Sequence, residues 1–169
     1  MNRKLVVSAL ALAVLAVGTA SAGPPGPTNP ATANLDVTLT VANSCTVGTS
    51  PVAFGTVYDM TSVNDAQGSV TVTCTGIGGY TVSLGDGLHG AIAQRLMAGP
   101  TATNVDYNLY IDSGHTNVWG QTAGTDTVAG TSTGGNTADA PITVYGETAA
   151  GQNVPIGDYS DTVLVSVAF

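Results

Sequence analysis

The sequence has 169 residues with three Lys and Arg against eleven Asp and Glu, and only 8% of its residues are charged. So few cations argue against nucleic acid and anionic membrane surfaces as partners, because both are recognised by clustered Lys and Arg. Twenty-two glycines, abundant Thr and Val, and few Glu, Lys or Leu disfavour long helices and predict an all-β fold.

Residues 1–22 read as a secretory signal. Arg3 and Lys4 supply the positive start, Leu5 to Val17 the apolar stretch, and Ala20-Ser21-Ala22 the small-residue cleavage site. The apolar stretch is about 13 residues where a bilayer span needs about 20, so cleavage after Ala22 is expected and membrane insertion is not. The exported chain then keeps one cation, Arg95, against eleven acids, for a formal charge of −10, and it contains no lysine. Amine-based catalysis is thereby excluded, and few sites remain for trypsin-like proteases.

Residues 23–30 hold four prolines and two glycines and predict an extended tether. Directly after it, Leu35, Val37, Leu39 and Val41 alternate with Asn34, Asp36, Thr38 and Thr40, the period of a strand with one apolar face. Periodicity alone does not separate a first strand of the chain's own sheet from a strand that enters a neighbour's fold.

Further candidate strands follow at 52–57, 69–75, 80–84, 107–111, 142–145 and 162–169, each bounded by turn residues. Gly76 to Gly79 and Gly85-Asp86-Gly87 separate several of them. Short strands with glycine turns indicate a sandwich or barrel. Gly120 to Asp139, rich in Gly, Thr, Ala and Asn, reads as a surface loop or exposed hairpin. The last strand places Val163, Val165, Val167 and Phe169 on one face, with Leu164 and Ala168 on the other, and reads as buried on much of both.

Cys45 and Cys74 are the only cysteines, and in an exported chain they most economically form one disulfide. His89 and His115 lack a metal-ligand spacing and read as loop or surface residues. The carboxylates of Asp86 and of Asp158 to Asp161 lie in turns without the oxygen density of a calcium loop. No Gly-x-Ser-x-Gly elbow is present. Trp119 and six tyrosines could line a sugar cleft, but such residues more often fill sandwich cores. No catalytic, cofactor or metal site is expected, and the chain is not read as an enzyme.

Several stretches together resemble the spore coat protein U family, which includes major subunits of archaic chaperone-usher pili. They are the alternating strand ending near Cys45-Thr46-Val47, Phe54-Gly55, Val70 to Cys74, and Tyr107 to Asp112 running on to Trp119-Gly120. The C-terminal part is the most specific: Pro141 to Gly146, Gly151-Gln152, Pro155 to Val163 and the end at Phe169. The resemblance covers residues 35–169.

It implies an incomplete immunoglobulin-like β-sandwich whose missing strand leaves an apolar groove. A periplasmic pilus chaperone first lends that strand; at the outer-membrane usher the N-terminal strand of another copy or related pilin replaces it. On this reading residues 23–42 are tether and donor strand, with Leu35, Val37, Leu39 and Val41 entering the groove, and residues 43–169 are the sandwich. The chain would pass through the periplasm to a surface fibre serving adhesion or biofilm formation. A secreted spore or cell-surface coat protein of the same fold, without usher assembly, is the alternative, and a secreted carbohydrate-binding sandwich is a remoter one.

Overall fold

The computed structural model describes Gly23, Gly26 and residues 29–169, so the signal sequence and most of the tether lie outside the described residues. The chain divides into two units, Met1–Leu39 and Thr40–Phe169. In the first, no described residue lies in a helix or strand, and Leu35, Val37 and Leu39 are 86–87% exposed. The alternating segment continues into the second unit with Val41, 79% exposed, and residues 31–44 carry no strand.

The second unit holds ten strands: β1 Cys45–Ser50, β2 Asn64–Cys74, β3 Ile77–Leu84, β4 Gly90–Ala91, β5 Gln94–Ala98, β6 Asn104–Tyr110, β7 Val128–Thr133, β8 Thr137–Ala138, β9 Ile142–Thr148 and β10 Val165–Ala168. Every pairing is antiparallel. One sheet runs β1-β2-β9-β6-β5-β4, with β8 also on β2, and the smaller sheet runs β10-β3-β7. Alternation puts Val70, Val72, Tyr107, Leu109 and Val144 of the large sheet against Tyr80, Val82 and Leu84 of the small one, which forms the core. Among the described residues no helix is long and apolar enough to cross a membrane.

Two expected features are corrected. Residues 52–57 form no strand, because Pro51 lacks an N–H and the β1–β2 ladder stops at Ser50 opposite Ser69. Gly120 to Asp139 is not only a surface loop: β7 lies within it as the edge of the small sheet. Its inward positions are Val128, Gly130 and Ser132, small because the Tyr80 ring lies where a side chain on Gly130 would stand. The turn Gly134-Gly135-Asn136, with φ of 74, 71 and 58°, then carries the chain across to β8 and the large sheet.

The two sheets are joined by polar links as well as by the core. Trp119 is fully buried and donates its indole N–H to the Val82 carbonyl at 3.1 Å. Arg95, also fully buried, donates through Nε and Nη2 to the Gly85 carbonyl (2.9 and 2.8 Å) and through Nη2 to that of Trp119 (2.8 Å). Its Nη1 donates to Asn108 Oδ1 (2.7 Å). Arg95, the one Lys or Arg between residues 23 and 169, is therefore an internal strut. Burial lowers its pKa, while nearby acids, Asp86, Asp161 and Asp126, oppose that shift.

Cys45 and Cys74 stand opposite one another at the end of the β1–β2 ladder and form the disulfide, 29 residues apart. In the chain-entropy model a loop of that length is worth about 3–4 kcal/mol. The C45S/C74S double variant is expected to lose that much, measured as a lower urea midpoint at unchanged slope.

The connection after β6 is organised by Asp112. Its carboxylate accepts from the backbone N–H groups of Gly114, Thr116 and Asn117 at 2.8–3.2 Å and from both the Thr116 hydroxyl and the Asn117 amide. Partial desolvation pushes this carboxyl up, but the hydrogen bonds from Thr116 and Asn117 outweigh it and bring the pKa down from 3.8 to about 2. A depressed folded pKa means that the ordering of the loop is complete above the ordinary carboxylate pKa and is lost as pH falls through about 2. The Thr116 and Asn117 amide resonances are therefore expected to hold their positions down to about pH 3 and to move together near pH 2.

Candidate functional site: an open groove between the sheets

The small sheet has three strands, and β10 lies at its edge with β3 as its single partner. Beside β10 the sandwich opens into a groove of about 1070 Å³. Its floor comes from both sheets, with Val70, Val105, Leu109 and Val144 on one side and Leu84 and Val165 on the other.

The walls are the segments on which the strand pattern and the ladder part company. After β1, residues 51–58 run on without pairing, yet Val52, Phe54 and Val57 still face inward. Two glycines make room for this wall. A Cβ on Gly146 would lie 2.5 Å from Val52 Cγ1 and 3.2 Å from Phe54 Cζ, and one on Gly68 would lie 2.8 Å from Val52 Cγ2. The opposite wall is residues 152–163. It is held to β5 by reciprocal backbone bonds between Ala98 and Ser160 (2.9 and 3.0 Å) before the chain crosses to the small sheet at β10.

One part of the lining is polar. Asp161 accepts from the Tyr107 hydroxyl (2.7 Å), the Leu88 N–H (2.9 Å) and His89 Nδ1 (3.3 Å). Burial first, and the bond to Asp161 second, raise the Tyr107 pKa and keep the phenol protonated. Asp161 and Tyr107 thus satisfy each other and present no free catalytic group. The Asp86 carboxylate is likewise occupied, accepting from the Ile92 N–H at 2.9 Å.

The last strand is shorter than the expected 162–169: Val165 and Val167 of β10, with Val163 just before it, pack against the core, and Val163 and Val165 border the groove. Leu164 on the opposite face is 71% exposed and Phe169 is 59% exposed. The expectation that this strand is buried on both faces is corrected: the small sheet has one solvent face, and nothing in the second unit covers it at Leu164. Trp119 lies in the core and not in a sugar cleft. Reading along the sequence missed Met97, Val105 and the Tyr107–Asp161 pair as groove residues, although inward alternation at Val105 and Tyr107 was a usable signal.

A groove with an apolar floor beside an unpaired strand edge can accept one more strand. The edge offers backbone N–H and C=O groups for a ladder, and the floor offers places for alternate side chains. Small-molecule sites instead converge a few polar groups on a closed pocket.

Comparison with known proteins agrees with this geometry. The Spore Coat Protein U domain model matches residues 31–166. "Protein U" of Myxococcus xanthus is 35% identical over 175 residues, covering 93% of this chain and 95% of that protein. Among solved structures, a chain of the CsuC–CsuE chaperone–tip adhesion subunit pre-assembly complex, from archaic chaperone-usher Csu pili of Acinetobacter baumannii, superposes with a TM-score of 0.52. It has 26% identity and covers 77% of this chain, which spans 40% of that one. The fold is an immunoglobulin-like sandwich of the pilus-subunit kind. The chain belongs to the Spore Coat Protein U domain family and is a structural, non-enzymatic surface subunit of the pilus or coat type.

Proposed function

We propose that this protein is the repeating subunit of an exported surface fibre, and that residues 35–41 of one copy complete the groove of the next. The observation that carries the reading is a complementarity within one chain. The groove lacks a strand beside β10, and an unpaired segment exposes Leu35, Val37, Leu39 and Val41 at strand spacing. Seven residues in extended form span about 20 Å at ~3.3 Å per residue. Donation from head to tail is heterologous, so it propagates as a filament instead of closing as a dimer.

Before assembly the groove needs a temporary strand, since an open apolar edge is an aggregation hazard. A chaperone fills that role in this reading, supported by the chaperone complex of the similar structure, and an outer-membrane usher exchanges it for the next subunit. The residue pattern of 1–22 is consistent with passage through the periplasm. The fibre would serve adhesion or biofilm formation.

Co-expression with a chaperone and usher of the archaic type is expected to give a ladder of SDS-resistant multimers on unheated gels, collapsing to monomer on boiling. A ladder that forms equally well without the usher would favour the second reading, a self-assembling coat protein, which the similarity to Protein U supports. Monomers under all conditions would refute both.

A further inference from the structure

On the outer face of the large sheet, away from the inward-facing groove floor, Asp65 of β2 stands directly opposite Glu147 of β9. Like charges opposed across an antiparallel pair repel. Among the described residues no Lys or Arg is available to offset them, because the one such residue, Arg95, is buried on carbonyl groups elsewhere. The group brought to them is His115. The loop held by Asp112 places it there in a left-handed conformation (φ 52°), with its ring set edge-on to Tyr110 (centroids 5.1 Å apart) and Tyr145 (6.4 Å).

We infer that Asp65, His115 and Glu147 form a binding site for a divalent first-row transition ion of the zinc class, with water completing the shell. Two observations carry this. One potential ligand atom from each side chain falls within 4.8 Å of the other two. His115 Nδ1 lies 3.3 Å from Glu147 Oε2. Two ligands about 2.0–2.1 Å from a tetrahedral zinc are separated by about 3.3 Å, so this pair already has the spacing of a coordination edge. The exposed Asp65 carboxylate, within 4.8 Å of both, offers the third ligand.

The ligand set also selects among ions. An imidazole nitrogen favours zinc, copper or nickel over calcium and magnesium, which take oxygen shells. A dication would neutralise the opposed carboxylates on β2 and β9 and clip the loop after β6 onto both strands. A hollow of about 300 Å³, bordered by Gln94, Asp106, Tyr110 and Glu147, adjoins the site at Glu147, and Asp65 is itself exposed to solvent. Sequence spacing conceals all of this, since the three ligands come from positions 50 and 32 residues apart.

The test is calorimetric titration of the chain with its groove filled by a fused copy of residues 31–44, using zinc chloride in a non-chelating buffer near pH 7.5, alongside NMR of the histidine ring nitrogens. One ion per chain is expected at micromolar affinity or tighter, with at least a tenfold weakening in His115→Ala and in Glu147→Gln. In the unmodified protein, His115 Nδ1 is expected to shift on zinc addition. Absence of stoichiometric binding, binding unaffected by His115→Ala, or a shift confined to His89 would each overturn the inference. Calcium or magnesium binding as tightly as zinc would overturn the assignment of ion class.

Discussion

Substituting aspartate for Val37 or Leu39 is expected to abolish SDS-resistant multimers while leaving the chaperone-bound subunit intact. Four apolar side chains entering the groove contribute about 1.5–3 kcal/mol each, roughly 6–12 kcal/mol together before ordering costs. Replacing one of them removes its share and asks a carboxylate to enter a floor of Val70, Leu109, Val144 and Val165. Such a group has no counter-charge there, because the nearest buried cation, Arg95, is already bonded to the carbonyls of Gly85 and Trp119. An unpaired buried charge costs several kcal/mol more, enough to remove most of the gain. The substituted side chains are 86% exposed in the subunit, so its own folding and its capture by a chaperone are expected to be unchanged. Thr38→Asp, on the polar face of the same segment, is the matched control and should still polymerise. Ladders that persist in both Val37→Asp and Leu39→Asp would remove this segment from the assembly mechanism.

Arg95→Met is expected to cost several kcal/mol of folding stability, because each buried acceptor left without a donor costs about 1–3 kcal/mol. Met fills similar space but leaves the carbonyls of Leu84, Gly85 and Trp119 and the Asn108 amide oxygen without these donors. Those carbonyls lie where the small sheet meets the Trp119 segment, so their loss loosens the junction between the layers. Urea unfolding of chain with its groove filled would measure the change, and a loss under about 1 kcal/mol would show that water or repacking replaces the guanidinium. The same residue offers an independent check. Between residues 23 and 169 it is the only trypsin site, and it is fully buried, so cleavage there should report opening of the fold and resist trypsin otherwise.

Much of the sandwich was legible along the chain because a strand with one buried face writes its own period. Val70, Val72 and Cys74, or Tyr80, Val82 and Leu84, alternate whatever their partners are, and the structure buries each of these sets. β1 was not legible in that way, since only Cys45 of its six residues is even partly buried. β7 was hidden by composition, because Gly130 and Ser132 face the core by being small under Tyr80. Residues 52–57 misled in the opposite sense: Val52 and Phe54 do alternate inward, but Pro51 separates them from hydrogen-bonded pairing and Gly55, at φ 68°, breaks the period before Val57.

The sequence by itself determined the all-β character, the one possible disulfide and the apolar stripe Leu35-Val37-Leu39-Val41, because composition, cysteine count and side-chain period are local quantities. Only the tertiary structure decided that β10 ends the small sheet with a free edge, that the lone Arg95 is an internal strut, and that His115 reaches Glu147 across the sheet face. Each of these depends on register and sheet order, which are set by contacts between residues tens of positions apart and leave no period in the chain.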